Sequence, residues 1–452
     1  MPKLRLAALT ALVLTAPVAC SQAQTDTATA TGSDLGALYR HLHANPELSF
    51  QESESSKMLA AELKALGFDV TTGIGDDWVK AKAKRDQGEV RPGVGGYGVV
   101  GVFKNGDGPT VLLRTDTDGL PVPEQTGKPY ASQASNVSWA GVDSPIMHAC
   151  GHDVHMTTWV GTARRLIAEK NSWSGTLVMI AQPAEELGLG APAMLSDGLF
   201  TRFPVPDANI ALHVNSSLAS GTVGYTEGYA LAAVDTVDIT VHGSGGHGAY
   251  PHTTKDPVVI AAHIVTALQT LVSRNVNPQE PAVVTVGSIQ AGAKHNIISN
   301  KAIMKITVRT YSDEVRKILL EGIERIAKGQ AETFGAPAPE VKFESDYIPS
   351  TYNDPALSQQ SAAAIAAAIG KENVTTTPAV MGGEDFAHYS RTDEKIPSFI
   401  FWLGAVEPAK VASGEPLPSL HSPLFAPDAD AAIETGVKAM TAAAKAAFTP
   451  KE

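Results

Sequence analysis

The run Leu177-Val178-Met179-Ile180-Ala181, followed at once by Gln182-Pro183-Ala184-Glu185-Glu186, decides how this chain is read. An apolar run without polar alternation marks a strand buried on both faces, and the abrupt return to polar side chains marks its end. The pattern recurs at Ile210 to His213. Working outward, Val99 to Phe103 and Val111 to Leu113 read as strands around the turn Lys104-Asn105-Gly106-Asp107-Gly108, and Asp153 to Glu169 reads as a helix. Helices are also expected from Asp34 to a stop at Asn45-Pro46 and from Ser53 to Leu66, closed by Gly67. Further on come an Ala-rich helix from Asp354 to Ile369, a strand from Ser398 to Leu403 and a final Ala-rich helix from Asp428 to Phe448. This alternation predicts an α/β sheet whose functional groups gather at the carboxyl ends of its strands.

The middle of the chain has another rhythm. Asp235 to Val241, Ala282 to Ile289, Ala302 to Thr310 and Val341 to Glu344 read as strands, with helices from Asp256 to Val272 and from Ser312 to Thr333. That order, strand–helix–strand–strand–helix–strand, is the signature of a ferredoxin-like sandwich. Its position between two α/β segments makes it an insertion.

Composition narrows the function. The 452 residues carry 47 acidic and 35 basic side chains, for a formal charge of −12. An acidic chain with no basic block lacks the surface that displaces counterions from nucleic-acid phosphates, so a small-molecule or peptide substrate is expected. Lys3 and Arg5 precede an apolar run from Leu6 to Val18 that is too short to cross a bilayer as a helix and suits a secretory signal. The signal is expected to end by residue 23, either at Ser21-Gln22-Ala23 or, as a lipoprotein signal, before Cys20; a polar spacer spans residues 24–33. Export to a bacterial periplasm, or anchoring there by lipid, follows as the expected location.

The only cysteines are Cys20 and Cys150. With Cys20 removed or lipidated, Cys150 has no disulfide partner, and it is a buried apolar side chain, an odd thiol or a metal ligand. Its surroundings favour the last: Met147-His148-Ala149-Cys150-Gly151-His152-Asp153-Val154-His155 packs thiol and imidazole groups into one short segment before a helix. A single histidine is ordinarily a hydrogen-bonded core or surface residue, and a Glu-Glu pair is ordinarily solvated. Clustered with a lone thiol, they point to a metal site, in which adjacent carboxylates at a strand end divide into a ligand and a proton carrier. His213, at the end of its apolar run, and His421, in a Pro-rich loop, could join it.

Several segments together resemble a known family. They are Arg40 to Ser49, Leu113-Arg114-Thr115-Asp116-Thr117-Asp118-Gly119-Leu120-Pro121, His148 to His155, Gln182 to Glu186, Gly245 to His252, Gly383-Glu384-Asp385-Phe386 and Leu420-His421-Ser422-Pro423. They resemble, in order and over nearly all the chain from Asp34, the N-acyl-amino-acid amidohydrolases, the hippurate hydrolase and auxin-conjugate hydrolase branch of the aminoacylase and carboxypeptidase metallopeptidases. The resemblance implies a mixed-sheet α/β metallohydrolase catalytic domain, residues 34–231 and 346–452, interrupted by a ferredoxin-like lid and dimerisation domain, residues 232–345. It implies two divalent metal ions, manganese or zinc, on Cys150, His152, Glu186, His213 and His421, with Glu185 as general base. It further implies a homodimer in which His247 reaches the partner's active site, and a substrate held by Asn296 and Arg309. Asp116, Asp118 and Glu384 would support the site from behind. Departures from the branch, notably the segments from Asp77 to Tyr97 and from Asn136 to Asp143, border the expected pocket. The competing readings are a di-, amino- or carboxypeptidase on the same centre, a cysteine hydrolase using Cys150 with His152, and a metal-binding lipoprotein without activity.

Overall fold

The computed structural model describes residues 35–449. The export signal, Cys20 and the spacer lie outside the described residues. The described residues form one compact unit, within which two sheets each carry their own apolar core.

The larger sheet has eight strands: β1 (Asp69–Ile74), β2 (Gly98–Asn105), β3 (Thr110–Asp116), β4 (Gly175–Gln182), β5 (Ala208–Ala219), β6 (Val223–Tyr225), β11 (Val374–Thr376) and β12 (Ser398–Val406), counting in between the four strands of the insertion. Their spatial order is β1-β2-β4-β3-β5-β12-β6-β11. Strands β4, β3, β5 and β12 run parallel at the centre, where both faces are covered. This is why their sequences are continuous apolar runs rather than alternating ones. One face packs on helices α1 (Leu35–Ala44), α2 (Ser53–Ala65), α4 (His152–Ala168), α8 (Pro355–Ile369) and α9 (Ala429–Ala447), the other on α5 (Gly190–Ser196) and the segment around Phe386 and Tyr389.

Trp159 pins α4 to β3. It is fully buried, and its indole N–H donates to the Leu113 carbonyl at 3.1 Å. The sheet is thereby fixed to the helix whose first residue is His152.

The insertion is a four-stranded antiparallel sheet, β8-β9-β7-β10, made of β7 (Ala233–His242), β8 (Ala282–Ala291), β9 (Lys301–Thr310) and β10 (Glu340–Phe343). Helices α6 (Pro257–Thr270) and α7 (Asp313–Thr333) cover one face through Ile260, Ile264, Leu268, Leu319 and Ile323. In chain order the strands lie second, third, first, fourth, the arrangement of a ferredoxin-like sandwich. Side chains of β7 alternate between buried and half-exposed, as expected of a sheet with one face packed.

Two elements, at residues 69–74 and 76–87, have no counterpart in the sequence reading. Strand β1 is an edge strand whose sequence, Asp69-Val70-Thr71-Thr72-Gly73-Ile74, is too polar to read as buried. The segment from Asp77 to Tyr97 is not an open loop: it contains helix α3 (Asp76–Gln87), whose Gln87 amide, together with the Arg91 guanidinium, donates to the Trp139 carbonyl in the hairpin from Ser135 to Pro145. The two departures thus pack on each other.

Replacing Trp159 by alanine is expected to cost about 3–5 kcal/mol, as for other fully buried aromatics; denaturant unfolding of the variant beside the parent protein measures it, and a loss under about 1 kcal/mol would contradict the role given to Trp159.

Candidate metal centre

The site lies at the carboxyl ends of β3 and β4 and beside the middle of the neighbouring β5, which does not end at His213 as its apolar run suggests but continues to Ala219. In an open α/β sheet this is where loops leaving adjacent strands diverge and leave a crevice. Each loop delivers its residues by a sharp turn. Gly151, at φ 78, turns the chain between Cys150 and α4; a side chain there would strike Val214 at 2.6 Å. His421 itself adopts φ 66, and its N–H donates to the Ala149 carbonyl at 2.9 Å, clamping the late loop to the cysteine loop.

Cys150 is central. Its Sγ lies 3.5 Å from His213 Nε2 and 3.2 Å from His421 Nε2. Two ligand sets share it: Cys150 with His152 and His213, and Cys150 with Glu186 and His421. All five expected ligands therefore meet. The imidazoles are oriented from behind. His152 Nδ1 donates to the Asp118 carbonyl at 2.8 Å, and His213 Nδ1 to the Val214 carbonyl at 2.8 Å, so each presents the Nε2 lone pair to the centre.

These residues fit divalent cations on two grounds. His152 Nε2 and Glu186 Oε1 are buried 3.9 Å apart with no hydrogen-bond partner, an arrangement costly unless something else satisfies them. The donors are thiol, imidazole and carboxylate, the ligands of borderline transition metals. The electrostatics agree. Burial and the nearby Glu384 and Glu186 hold the Glu185 carboxyl well above the usual range. Burial also pushes Glu186 up to about 8, against the opposing pull of His152. Burial would lower His152, yet Asp116 and Asp118 carry it up to about 10. The Cys150 thiol is pushed up by burial and by Glu186 and Glu185, the reverse of what an activated cysteine nucleophile requires. Positive charge supplied at the centre reverses these tendencies.

Asp116 and Asp118 both stand beside His152, Asp116 in one group with His152 and His155. The Asp118 carboxylate accepts from the backbone N–H groups of Glu185 and Glu186, each at 3.1 Å, and from Ser49 Oγ at 2.6 Å. Asp116 accepts from Arg114 at 2.7 Å and from His155 Nδ1 at 2.7 Å. The Val214 N–H donates to His155 Nε2 at 2.9 Å, so His155 is fully engaged and is a brace rather than a ligand. Burial alone would raise Asp116, but His152, His155 and Arg114 hold it well below the usual range. Glu384 meets Arg114 Nη2 at 2.8 Å and lies in one acidic group with Glu185 and Asp385.

The remaining expected residues sit elsewhere. His247 and Asn296 lie together in the insertion, on a two-stranded ladder where the Gly248 N–H donates to the Asn296 carbonyl at 2.8 Å. His247 is exposed, its Nδ1 accepts from the Ala249 N–H at 3.0 Å, and neither residue belongs to the ligand sets around Cys150. Arg309 is half-buried on the central strand β9 beside Gly383, next to Glu384; a side chain at Gly383 would come within 3.7 Å of its guanidinium.

Two supports, Arg114 and His43, have no assigned role in the sequence reading, and Asp385 stands there only as the lesser member of the Glu384-Asp385 pair. Arg114 is fully buried and joins Gln182, Asp116, Glu384 and Asp385; a lone arginine inside an apolar strand was the available signal. Asp385 supports the site as fully as Glu384: it accepts from Gln182 Nε2 at 2.6 Å and from the Ala191 N–H at 3.0 Å. His43 links Asp153, at 2.7 Å, to Glu124, at 3.0 Å. Burial would lower that imidazole, but the two carboxylates carry it to about 9.

The comparisons with known proteins accord with this geometry. Residues 112–446 match the model of peptidase family M20/M25/M40. The chain is 36% identical over 365 residues to N-acetylcysteine deacetylase of Bacillus subtilis (strain 168), covering 81% of this chain and 86% of that one. It is 33% identical to N-acetyldiaminopimelate deacetylase of Limosilactobacillus fermentum, covering 90% and 96%. Thermostable carboxypeptidase 2 of Saccharolobus solfataricus is 34% identical over 81% of this chain and 84% of its own. Among solved structures, a dinuclear metal binding peptidase of family M20 from Bacillus subtilis superposes with a TM-score of 0.70 at 31% identity, covering 92% of this chain and 97% of that one. The chain belongs to peptidase family M20/M25/M40.

Proposed function

We propose that the protein is a metal-dependent amidohydrolase that splits the amide of N-acyl or N-aroyl amino acids, in the manner of the hippurate and auxin-conjugate hydrolases. The observation that carries this is the pairing of Glu185 with Glu186 beside His152: Glu186 also meets Cys150 and His421, whereas Glu185 turns toward Glu384 and Asp385. A site for binding metal alone has no use for the second.

Cys150, His152, Glu186, His213 and His421 would hold two divalent cations, with manganese and zinc both suited to the donor set. Such cations, when bound, acidify water and polarise an amide carbonyl. Glu185 takes the proton from the attacking water and returns it to the departing amine. Asp118 fixes the backbone of both glutamates, so the proton carrier and the ligand keep their relative positions through the cycle. Arg309, half-buried beside the Gly383-Glu384 segment, suits a substrate carboxylate, and Asn296, with a buried side-chain oxygen lacking a partner, suits a polar group of the substrate.

His247 acts in this reading from the partner of a homodimer. Strand β8 ends the inserted sheet with an unpaired edge, and Val258, Val259 and Ile289 are exposed nearby on the same domain, which supports association through the insertion. Light scattering on the purified protein is expected to give twice the chain mass. Export rests on the sequence of residues 1–23 alone, and mass analysis of the protein recovered from cells checks where it is cleaved.

A di-, amino- or carboxypeptidase on the same centre is the second reading, favoured by the likeness to a carboxypeptidase. A panel of N-benzoyl and N-acetyl amino acids and free dipeptides separates them: faster release from the blocked substrates supports the amidohydrolase, and faster cleavage of free dipeptides the peptidase. Chelation is expected to abolish turnover and Mn²⁺ or Zn²⁺ to restore it; activity that survives chelation contradicts both.

Glu185→Gln is expected to keep its metal and lose about 100-fold or more in kcat, the contribution typical of a positioned proton carrier. Cys150→Ser and His152→Ala are expected instead to lose metal, measured by elemental analysis. Full turnover by Glu185→Gln would remove the general-base assignment.

A further inference from the structure

The turn that carries Glu185 and Glu186 is held in a shape its residues do not favour. Ala184 has φ 52, in the left-handed region where a Cβ is disfavoured. Phe50 has φ 61, and the two side chains are buried in one small apolar cluster with Val79, Leu189 and Ala193. Two strained residues from distant parts of the chain thus share one contact region, directly behind the turn.

Between them stands Glu52. It occupies the N-cap position of α2 but does not cap that helix. Glu47 does so instead, its carboxylate accepting the Glu54 N–H at 3.0 Å and the Ser55 N–H at 2.8 Å. The Glu52 carboxyl is wholly buried; Oε1 accepts the Ala184 N–H at 2.8 Å, and Oε2 has no partner. A buried carboxyl with an unpaired oxygen is costly, and a helix cap does not account for it. Three successive backbone N–H groups, those of Ala184, Glu185 and Glu186, therefore end on buried carboxylates: Glu52 for the first and Asp118 for the other two. The Ala184 carbonyl closes the turn by accepting from Leu189 and Gly190 at 3.3 and 3.2 Å.

We infer that Glu52 is a positioning residue, which locks Ala184 in the left-handed turn and thereby aims the Glu185 carboxyl at the reacting centre. The inference rests on the reading of Glu185 as general base. Glu52 touches neither the ligand groups nor the substrate site; it acts through one hydrogen bond to the backbone. An amide oxygen can accept that bond as well as a carboxylate can, and glycine adopts the turn without help.

The test uses metal-loaded protein and an N-acetyl or N-benzoyl amino acid. Glu52→Ala is expected to lower kcat by about 100-fold, the cost of a small misplacement of a reacting group, with KM and metal content close to the parent's. Glu52→Gln is expected to restore kcat to within a few-fold of the parent. Glu52→Ala is expected to cost far less when combined with Ala184→Gly. Hydrogen exchange supplies the readout that does not depend on activity: the Ala184 amide is expected to exchange slowly in the parent and Glu52→Gln proteins and quickly in Glu52→Ala. Unchanged exchange at Ala184, an equal loss in Glu52→Gln and Glu52→Ala, or an undiminished loss in the Ala184→Gly background would each overturn the proposal. A wild-type rate in Glu185→Gln would instead sink the general-base reading and the catalytic half of this one, leaving the exchange measurement to decide the backbone half.

Discussion

A guanidinium with no access to water governs the architecture of this site. Arg114 sits inside the central strand β3, directly after Val111-Leu112-Leu113, and it survives there because Asp116, Glu384 and Asp385 surround it. Removing one partner of such a buried group leaves an uncompensated charge, a loss of several kcal/mol in comparable networks, roughly 3–5 kcal/mol. Position and composition are therefore coupled. The arginine holds the acids at the ends of the strands, and the acids outnumber what one arginine and the surrounding imidazoles neutralise. The same crowding of carboxyl groups prepares the place for cations. Ligand, base and brace are parts of one charge balance rather than separate devices.

The fold was largely legible because its signals are local. Buried parallel strands such as Leu177 to Ala181 announce themselves by unbroken apolar runs, and the inserted sandwich by the order of its elements. Helix α3 and strand β1 escaped because neither has a strong apolar stripe: α3 buries only Val79, Lys82 and Ala83, and β1 buries only Ile74. The ligand residues were legible for another reason, the concentration of Cys, His and Glu side chains in short segments. Their supports were not. Arg114 and Glu384 are 270 positions apart, and Glu52 and Ala184 are 132 apart; nothing near either residue records the other. His155 shows the complementary limit: by residue type it is as good a ligand as His152, and only the bonds to Asp116 and Val214 reveal that both its nitrogens are taken.

The insertion contributes by separation. His247 and Asn296 share a small ladder on the second domain, while Arg309 faces the first domain across the junction. Groups that would contact a substrate are thus divided between two bodies, each with its own apolar core. The charge-dense floor can stay rigid while residues that select among substrates are carried on another support. The departures from the family pattern reach the floor from its margin: α3 and the hairpin around Trp139 pack against each other and, through Val79 and Ala83, on Ala184 in the turn before Glu185.

The order of strands in the main sheet has a consequence for how the molecule is made. Strand β12 pairs in parallel with β5 along nearly its whole length, although the insertion and more stand between them in sequence. Until that late strand emerges from the ribosome, β5 presents an open, apolar edge, and the Glu384-Asp385 partners of Arg114 are absent as well. Pairings of such long separation close slowly, and unpaired parallel edges invite aggregation. The inserted sandwich has all four of its strands and both of its helices before that strand is made. During synthesis the nascent chain therefore passes through a stage with the insertion complete and the main sheet unfinished, the stage at which a chaperone has most to protect.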